Sequence, residues 1–363
     1  MKLGTFMMPL HPPGRHPAET LAEDRAAILL ADRLGYTEAY VGEHVTDLAE
    51  NVTSCLMFLA SLAAETRQIV LGSGTINLPN SHPAAIAAQV AMLDHMLEGR
   101  FHMGISPGGL MSDAEVFGNY GKNRNEMFVE GINMVLDIWA GNPPYDLQGK
   151  YFQVSTARTM IPEIGQGIIL KPYQKPHPKI MVTVVAPHSQ GVTEAAKRGW
   201  YPISANFLLP QWVASHWPKY VEGRAAVGAV ADPADWRVAK SIFVADDEAT
   251  AKRYGHGPQG PYYFYFKQLT RKLVGFGGRA NLFKLDQSEP DERITPEYVT
   301  EKLVIAGTVD KVVDQILEFR EQTGDFGTLL YPCHDWVDPS LGQRSMQLMA
   351  EEVMPRVNRA LGQ

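Results

Sequence analysis

Apolar residues along this chain follow two alternating patterns. Short continuous runs, such as Ala39-Tyr40-Val41 and Ile69-Val70-Leu71, are separated by longer stretches in which apolar positions recur at helical spacing, as in Leu21, Ile28, Ala31 and Leu34. A continuous run reads as a parallel strand covered on both faces, and a 3.6-residue period as an amphipathic helix. On this basis strands are predicted at about 2–8, 38–42, 69–74, 101–106, 179–185, 201–205, 236–245 and 326–331. Helices are predicted at about 17–34, 54–65, 83–97, 123–140, 189–198, 211–227, 309–322 and 340–361. Gly35 stands where a left-handed helix cap belongs, and Pro83 at a favoured first-turn position. Two stretches break the rhythm and read as irregular excursions: 141–178, and 255–295 with its run Pro261-Tyr262-Tyr263-Phe264-Tyr265-Phe266. Strands alternating with helices in this way predict an α/β fold. The expectation is a (β/α)₈ TIM barrel rather than an open doubly wound sheet, one domain over 1–363 with both excursions at its C-terminal mouth.

Composition narrows the class. A chain of 363 residues with 45% hydrophobic content can bury a large core. The net charge is −7 with scattered basic residues, which argues against a nucleic-acid partner. Two cysteines, Cys55 and Cys333, fit a reducing compartment, with a distant disulfide left open. The apolar run at Met1–Pro9 is short for a signal peptide, and no apolar stretch approaches membrane-spanning length. The expectation is a soluble, cytoplasmic protein.

In a barrel of this kind the residues just past the strands line the site. His44 follows the second strand beside Glu43, where an imidazole could donate a hydrogen bond or move a proton near neutral pH, or be merely structural. Gly72-Ser73-Gly74-Thr75 ends the third strand, where glycines let the backbone approach a ligand. Ser106-Pro107-Gly108-Gly109 follows the fourth and can present N–H groups to an anion, although its spacing is neither a P-loop nor a dinucleotide fingerprint. Ala186-Pro187-His188-Ser189 opens the helix after the fifth strand; Ser189 reads as an N-cap, and the same free N–H groups could take a phosphate. His82 reads as a helix-start residue rather than a ligand. His334, beside Asp335, follows the last strand. The eleven histidines are dispersed, and neither a His-Glu-x-x-His nor a Cys-x-x-Cys pattern occurs, so no metal is expected. There is no Gly-x-Ser-x-Gly elbow. The aromatic run at 262–266 reads as core, or as the wall or lid of an apolar pocket.

Taken together, these residues resemble the bacterial-luciferase-like flavin-dependent monooxygenases. The likeness is carried by Gly74-Thr75-Ile76-Asn77-Leu78-Pro79-Asn80-Ser81-His82-Pro83, by Leu93-Asp94 and Glu98-Gly99-Arg100-Phe101-His102-Met103-Gly104-Ile105, by Lys171-Pro172-Tyr173-Gln174-Lys175-Pro176-His177-Pro178, and by Ile305-Ala306-Gly307-Thr308. The end of the chain, Gly327-Thr328-Leu329-Leu330 through His334-Asp335-Trp336, resembles the branch acting on cyclic terpenoids, such as the limonene and diketocamphane monooxygenases. The resemblance covers nearly the whole chain. It implies a barrel that takes reduced FMN from a separate NAD(P)H:flavin reductase and uses O₂, through a flavin hydroperoxide, to oxygenate an apolar small molecule by epoxidation or Baeyer–Villiger insertion. It also implies a homodimer. By the same resemblance His44 is the expected catalytic residue; His334 is a second catalytic candidate from its position after the last strand of a barrel, or is merely held by Asp335. The expected cofactor-binding residues are Gly74 and Thr75 at a bulge that is often a cis peptide, Ser106 and Gly108 in the next flavin loop, Ala186, His188 and Ser189 at the phosphate helix, and Ser204 and Asn206 near the ring edge. Pro107 stands where the family often has Arg, so a phosphate counter-charge must come from elsewhere, such as His188, and Val309 replaces a Pro before the helix that follows Gly307-Thr308. Two other readings remain: a deazaflavin-dependent oxidoreductase on the same fold, and a non-catalytic flavin-binding protein.

Overall fold

The computed structural model describes residues 1–363 except His334 and the side chains of Phe276 and Cys333. The chain divides into two compact units, Met1–Ala39 with Val182–Gln363, and Tyr40–Met181.

The first unit opens with β1 (Lys2–Met7) and α1 (Pro17–Arg33). The His16 side chain caps α1 by accepting from the Ala18 amide, Pro17 begins its first turn, and Gly35 closes it at φ +79°. With β2 (Glu38–Val41) the chain passes into the second unit.

There α2 (Cys55–Ala60), capped by Ser54, is shorter than the sequence suggests; residues beyond it turn without continuing the helix. β3 (Val70–Ser73) is followed by a short β4 (Ile76–Asn77) that the apolar pattern does not reveal. α3 (Pro83–Met96) is capped by His82, whose ring accepts from the Ala84 amide, as expected for a helix-start residue. β5 (Phe101–Ser106) pairs in parallel with both β3 and β4. The pairing of β3 with β5 requires a bare backbone at Gly104: a Cβ there would lie 1.9 Å from the Ser73 carbonyl oxygen. α4 (Met111–Val116) and α5 (Arg124–Ala140) follow, the latter capped by Asn123. The first excursion is not wholly irregular, because β6 (Asp146–Gln148) and β7 (Gln153–Ser155) form an antiparallel hairpin within it. β8 (Lys179–Val184) returns the chain to the first unit.

α6 (Gln190–Lys197), β9 (Tyr201–Ser204), α7 (Pro210–Ala214) and α8 (His216–Ala226) come next, the last two replacing the single helix expected over 211–227. The expected strand at 236–245 is two strands, β10 (Arg237–Ala239) and β11 (Ile242–Val244). Both strands, and Lys240-Ser241 between them, are buried, so burial runs unbroken across the switch. The stretch 255–295, expected to be irregular, is largely helical. α9 (Glu248–Thr250) runs into a π turn, α10 (Pro261–Thr270) carries the aromatic run, and a second π turn covers Arg271–Phe276. Aromatic residues are modest helix formers, and the glycines at 255, 257, 260, 275, 277 and 278 punctuate the helical period. Tyr262, Tyr265 and Phe266 bury one face of α10, which makes the run core at these positions.

α11 (Pro296–Leu303), β12 (Ile305–Gly307), α12 (Val309–Thr323), β13 (Thr328–Cys333), α13 (Pro339–Leu348) and α14 (Met354–Ala360) complete the chain; a π turn between the last two interrupts the expected terminal helix. Within the first unit β1, β13, β10 and β9 run side by side in parallel, with Lys2 opposite Thr328 and Arg237 opposite both Thr328 and Ile203. β11 pairs with β12 in a separate parallel ribbon. Among the described residues, no helix is long and apolar enough to cross a membrane. Cys55 is a free, buried thiol, so it forms no disulfide.

Candidate functional site

In the second unit the segment following β2 is fastened before it is functional. The Glu43 carboxylate accepts from the Cys55 amide at 3.0 Å and the Asn77 amide at 3.2 Å, tying the start of α2 and the end of β3–β4 to one side chain. His44 follows, its side chain 17% exposed. Its Nδ1 lies 3.0 Å from Asp113 Oδ2 and its Nε2 3.5 Å from Glu50 Oε2. Asp113 sits on α4 with its side chain almost fully buried. Its Oδ1 accepts from the Thr46 hydroxyl at 2.6 Å, the Thr46 amide at 2.9 Å and the Val45 amide at 3.2 Å. Burial alone would push the Asp113 carboxyl up, but hydrogen bonds from His44 and Thr46 outweigh it and hold the group below its ordinary value. A carboxylate only accepts, so Asp113 fixes a proton on His44 Nδ1 and leaves Nε2 as the atom that exchanges one.

Beside this pair lies a chain of hydroxyls. The Gly74-Thr75 peptide is cis, as expected from the resemblance. Thr75 Oγ1 donates to Ser106 Oγ at 2.7 Å, which donates to Asn77 Oδ1 at 2.9 Å and accepts from the Gly108 amide at 3.2 Å. Gly108 adopts φ +78°, and a Cβ on Gly109 would meet nothing within 4 Å, so this loop presents bare backbone.

The first unit holds the other predicted residues. Ala186 and His188 are exposed on the loop between β8 and α6, with His188 at φ +50°. Ser189 occupies the N-cap position of α6, as its place in the sequence suggests, although its hydroxyl bonds no first-turn amide. Ser204 is fully buried. Its Oγ is 2.8 Å from His216 Nδ1 and accepts from Trp236 Nε1 at 2.9 Å. Asn206 is buried too, donating to Ser241 Oγ at 3.0 Å and accepting from the Tyr265 hydroxyl at 3.0 Å. His334 lies outside the described residues. Its neighbour Asp335 is engaged elsewhere, accepting from His11 Nδ1 at 3.0 Å and Arg15 Nη1 at 2.8 Å. His11 Nε2 in turn meets Asp24 Oδ1 at 2.9 Å. Burial would depress His11, but the two carboxylates outweigh it and raise it to about 9. His11, Glu23 and Asp335 converge closely enough to suggest a cation site, but Arg15 already pairs with both carboxylates.

The structure thus groups His44, Gly74, Thr75, Ser106 and Gly108 in one unit, and Ala186, His188, Ser189, Ser204 and Asn206 in the other. Sequence reasoning passed over Asp113, Glu50, His11 and His216. Asp113 carried one usable signal, an acidic residue soon after a strand-end loop.

Strand–helix alternation with a polar cluster past the strand ends is the build of a barrel enzyme. A family model of luciferase-like monooxygenases matches residues 1–325, and the chain belongs to that family. It is 29% identical over 377 aligned positions to 4-hydroxyprotoasukamycin monooxygenase of Streptomyces nodosus subsp. asukaensis, covering 99% of this chain and 93% of that protein. It is 27% identical to limonene 1,2-monooxygenase of Rhodococcus erythropolis, covering 99% and 87%. Among solved structures it resembles the oxygenating constituent of 3,6-diketocamphane monooxygenase from Pseudomonas putida, a type II Baeyer–Villiger monooxygenase in complex with FMN. That match has a TM-score of 0.86 at 27% identity and covers 98% of each chain. The fold is therefore the (β/α)₈ barrel that the sequence pattern predicts.

Proposed function

We propose that this protein is the oxygenating component of a two-component, FMN-dependent monooxygenase whose substrate is an apolar, cyclic terpenoid-like molecule. A separate NAD(P)H:flavin reductase supplies the reduced flavin. The observation that carries the reading is the His44–Asp113 pair, a proton-handling imidazole beside the Thr75–Ser106–Asn77 hydroxyl chain.

Each unit by itself carries groups suited to part of such a cofactor. Ser189 leaves the first-turn amides of α6 without a side-chain cap, the arrangement that accepts a phosphate. His188 stands next to it on the same loop. Thr75 and Ser106 hold hydroxyls in fixed orientation, and a Cβ on Gly109 would meet nothing within 4 Å, so the adjoining loop is open there. When bound, reduced FMN supplies the electrons that activate O₂, one oxygen atom going to the substrate and the other to water.

The protein's own part is narrower. Asp113 keeps the His44 ring oriented with its proton on Nδ1, so that Nε2 is the nitrogen that gives or takes a proton. The Glu50 carboxylate lies 3.5 Å from Nε2. The Thr75 and Ser106 hydroxyls are held in place by their mutual hydrogen bond and by Asn77 Oδ1.

The reading is tested by supplying the protein with reduced FMN from an NADH:flavin reductase under ¹⁸O₂ with limonene and bicyclic terpenoid ketones. One ¹⁸O atom in a product is expected. Unlabelled substrate throughout, with hydride transfer from a reduced deazaflavin instead, would overturn it.

A further inference from the structure

We infer that Ser215 and His216, adjacent residues at the break between α7 and α8, are positioning residues that hold the 186–189 loop in the shape that receives the flavin's phosphate. The inference rests on the proposal that FMN places its phosphate at the start of α6.

The loop exposes two backbone groups of opposite sense. The Ala186 carbonyl accepts from His216 Nε2 at 3.0 Å, and the His188 amide donates to Ser215 Oγ at 2.8 Å. Successive residues of one helix junction thus secure a C=O and an N–H two residues apart in the loop. Ser215 is itself held, donating to the Trp212 carbonyl at 2.6 Å. The His188 ring rests edge-on against Trp212, whose Nε1 donates to the Leu282 carbonyl at 3.1 Å.

His216 is 0% exposed, so its orientation is set by its partners alone. Because the Ala186 carbonyl can only accept, Nε2 carries the proton and Nδ1 accepts from the Ser204 hydroxyl at 2.8 Å. Ser204 Oγ accepts in turn from Trp236 Nε1 at 2.9 Å. This line of bonds runs from the buried Trp236 out to the loop, and it demands a neutral ring. Burial pushes His216 down to about 4, which keeps the ring neutral at physiological pH. It also gives Ser204 a supporting role behind the loop.

The consequence lies at His188, a non-glycine residue at φ +50°, with Ser189 next to it capping nothing. With the Ala186 carbonyl and His188 amide already engaged, the turn leaves the following amides of α6 for an anion. Release of either anchor lets the loop relax and the donors disperse.

The experiment compares equilibrium binding of FMN and of riboflavin, which lacks the phosphate, to wild type, S215A, H216L and H216Q. Wild type is expected to prefer FMN at least tenfold. S215A and H216L are expected to bring the two flavins to nearly equal affinity with riboflavin binding unchanged within twofold, and H216Q, whose amide still donates to Ala186, to recover part of the preference. S215A leaves the buried ring in place, and circular dichroism shows whether each variant folds. A wild-type preference retained in folded S215A and H216L overturns the clamp alone. Equal binding of the two flavins by wild type overturns the phosphate reading and the inference with it.

Discussion

His44 and His216 each use both ring nitrogens, yet their surroundings assign them opposite work. His44, in the second unit, is partly exposed and faces two carboxylates, Asp113 at 3.0 Å and Glu50 at 3.5 Å. His216, in the first, is fully buried between a carbonyl and a hydroxyl. Anionic partners favour an added proton; neutral partners in a dry setting forbid one. Partner charge sets the contrast: the role proposed for His44 is to exchange protons, whereas His216 is held as a neutral ring. His11 supplies a third case, buried like His216 but placed between the carboxylates of Asp24 and Asp335.

The comparison breaks most visibly at His44. H44A is expected to lower turnover by about 10²–10⁴-fold, the range typical of a lost acid–base group, while FMN affinity stays within about tenfold. Steady-state kinetics and flavin titration read the two effects separately, and unchanged turnover would remove His44 from the mechanism. Next in size, D113N takes away the charge that orients the ring but keeps its shape. Turnover is expected to fall by about 10–10²-fold, with the limb of the pH–rate profile that reports the imidazolium moving to lower pH.

Stability should separate the two buried histidines by the sign of their pH dependence. His216 titrates near 4 when folded and near 6.5 when unfolded, so between those values the unfolded chain binds the proton more readily. The contribution of the neutral ring is whole above pH 6.5 and is lost as pH falls toward 4, amounting to about 3 kcal/mol for this shift. H216L should flatten that acid limb in denaturant titrations. His11 runs the other way. Its folded value of about 9 exceeds 6.5, so its contribution is whole below pH 6.5 and is lost as pH rises through 9. H11Q should lower stability at pH 7 and flatten the alkaline limb, with little change in FMN binding. Equal slopes for the two variants would refute the assignment of charge by partner.

Local rules carried much of the fold. Gly35, His82 and Pro83 punctuate helices by their own backbone and side-chain chemistry, and the sequence announces them directly. Where tertiary pairing decides, the pattern is silent. Lys240-Ser241 divides two buried strands because β10 pairs with β13 and β9 while β11 pairs with β12. The glycines around α10 conceal a helix that is held by burial of Tyr262, Tyr265 and Phe266. The site divides in the same way. His44, Thr75 and Ser106 stand at strand ends and were legible there. Asp113 sits on a six-residue helix too short to show a period, and it meets His44 across 69 residues. His216 was invisible because its partners, Ala186 and Ser204, are joined to it only by folding.

The most direct test of the account is stopped-flow absorbance of wild type and H44A, each loaded with reduced FMN without oxygen and then mixed with oxygenated buffer. Wild type is expected to pass through a species spectrally distinct from reduced and oxidised FMN, and H44A to proceed to oxidised FMN with that species diminished or short-lived. Identical traces from the two proteins would contradict a role for His44 in the oxygen chemistry.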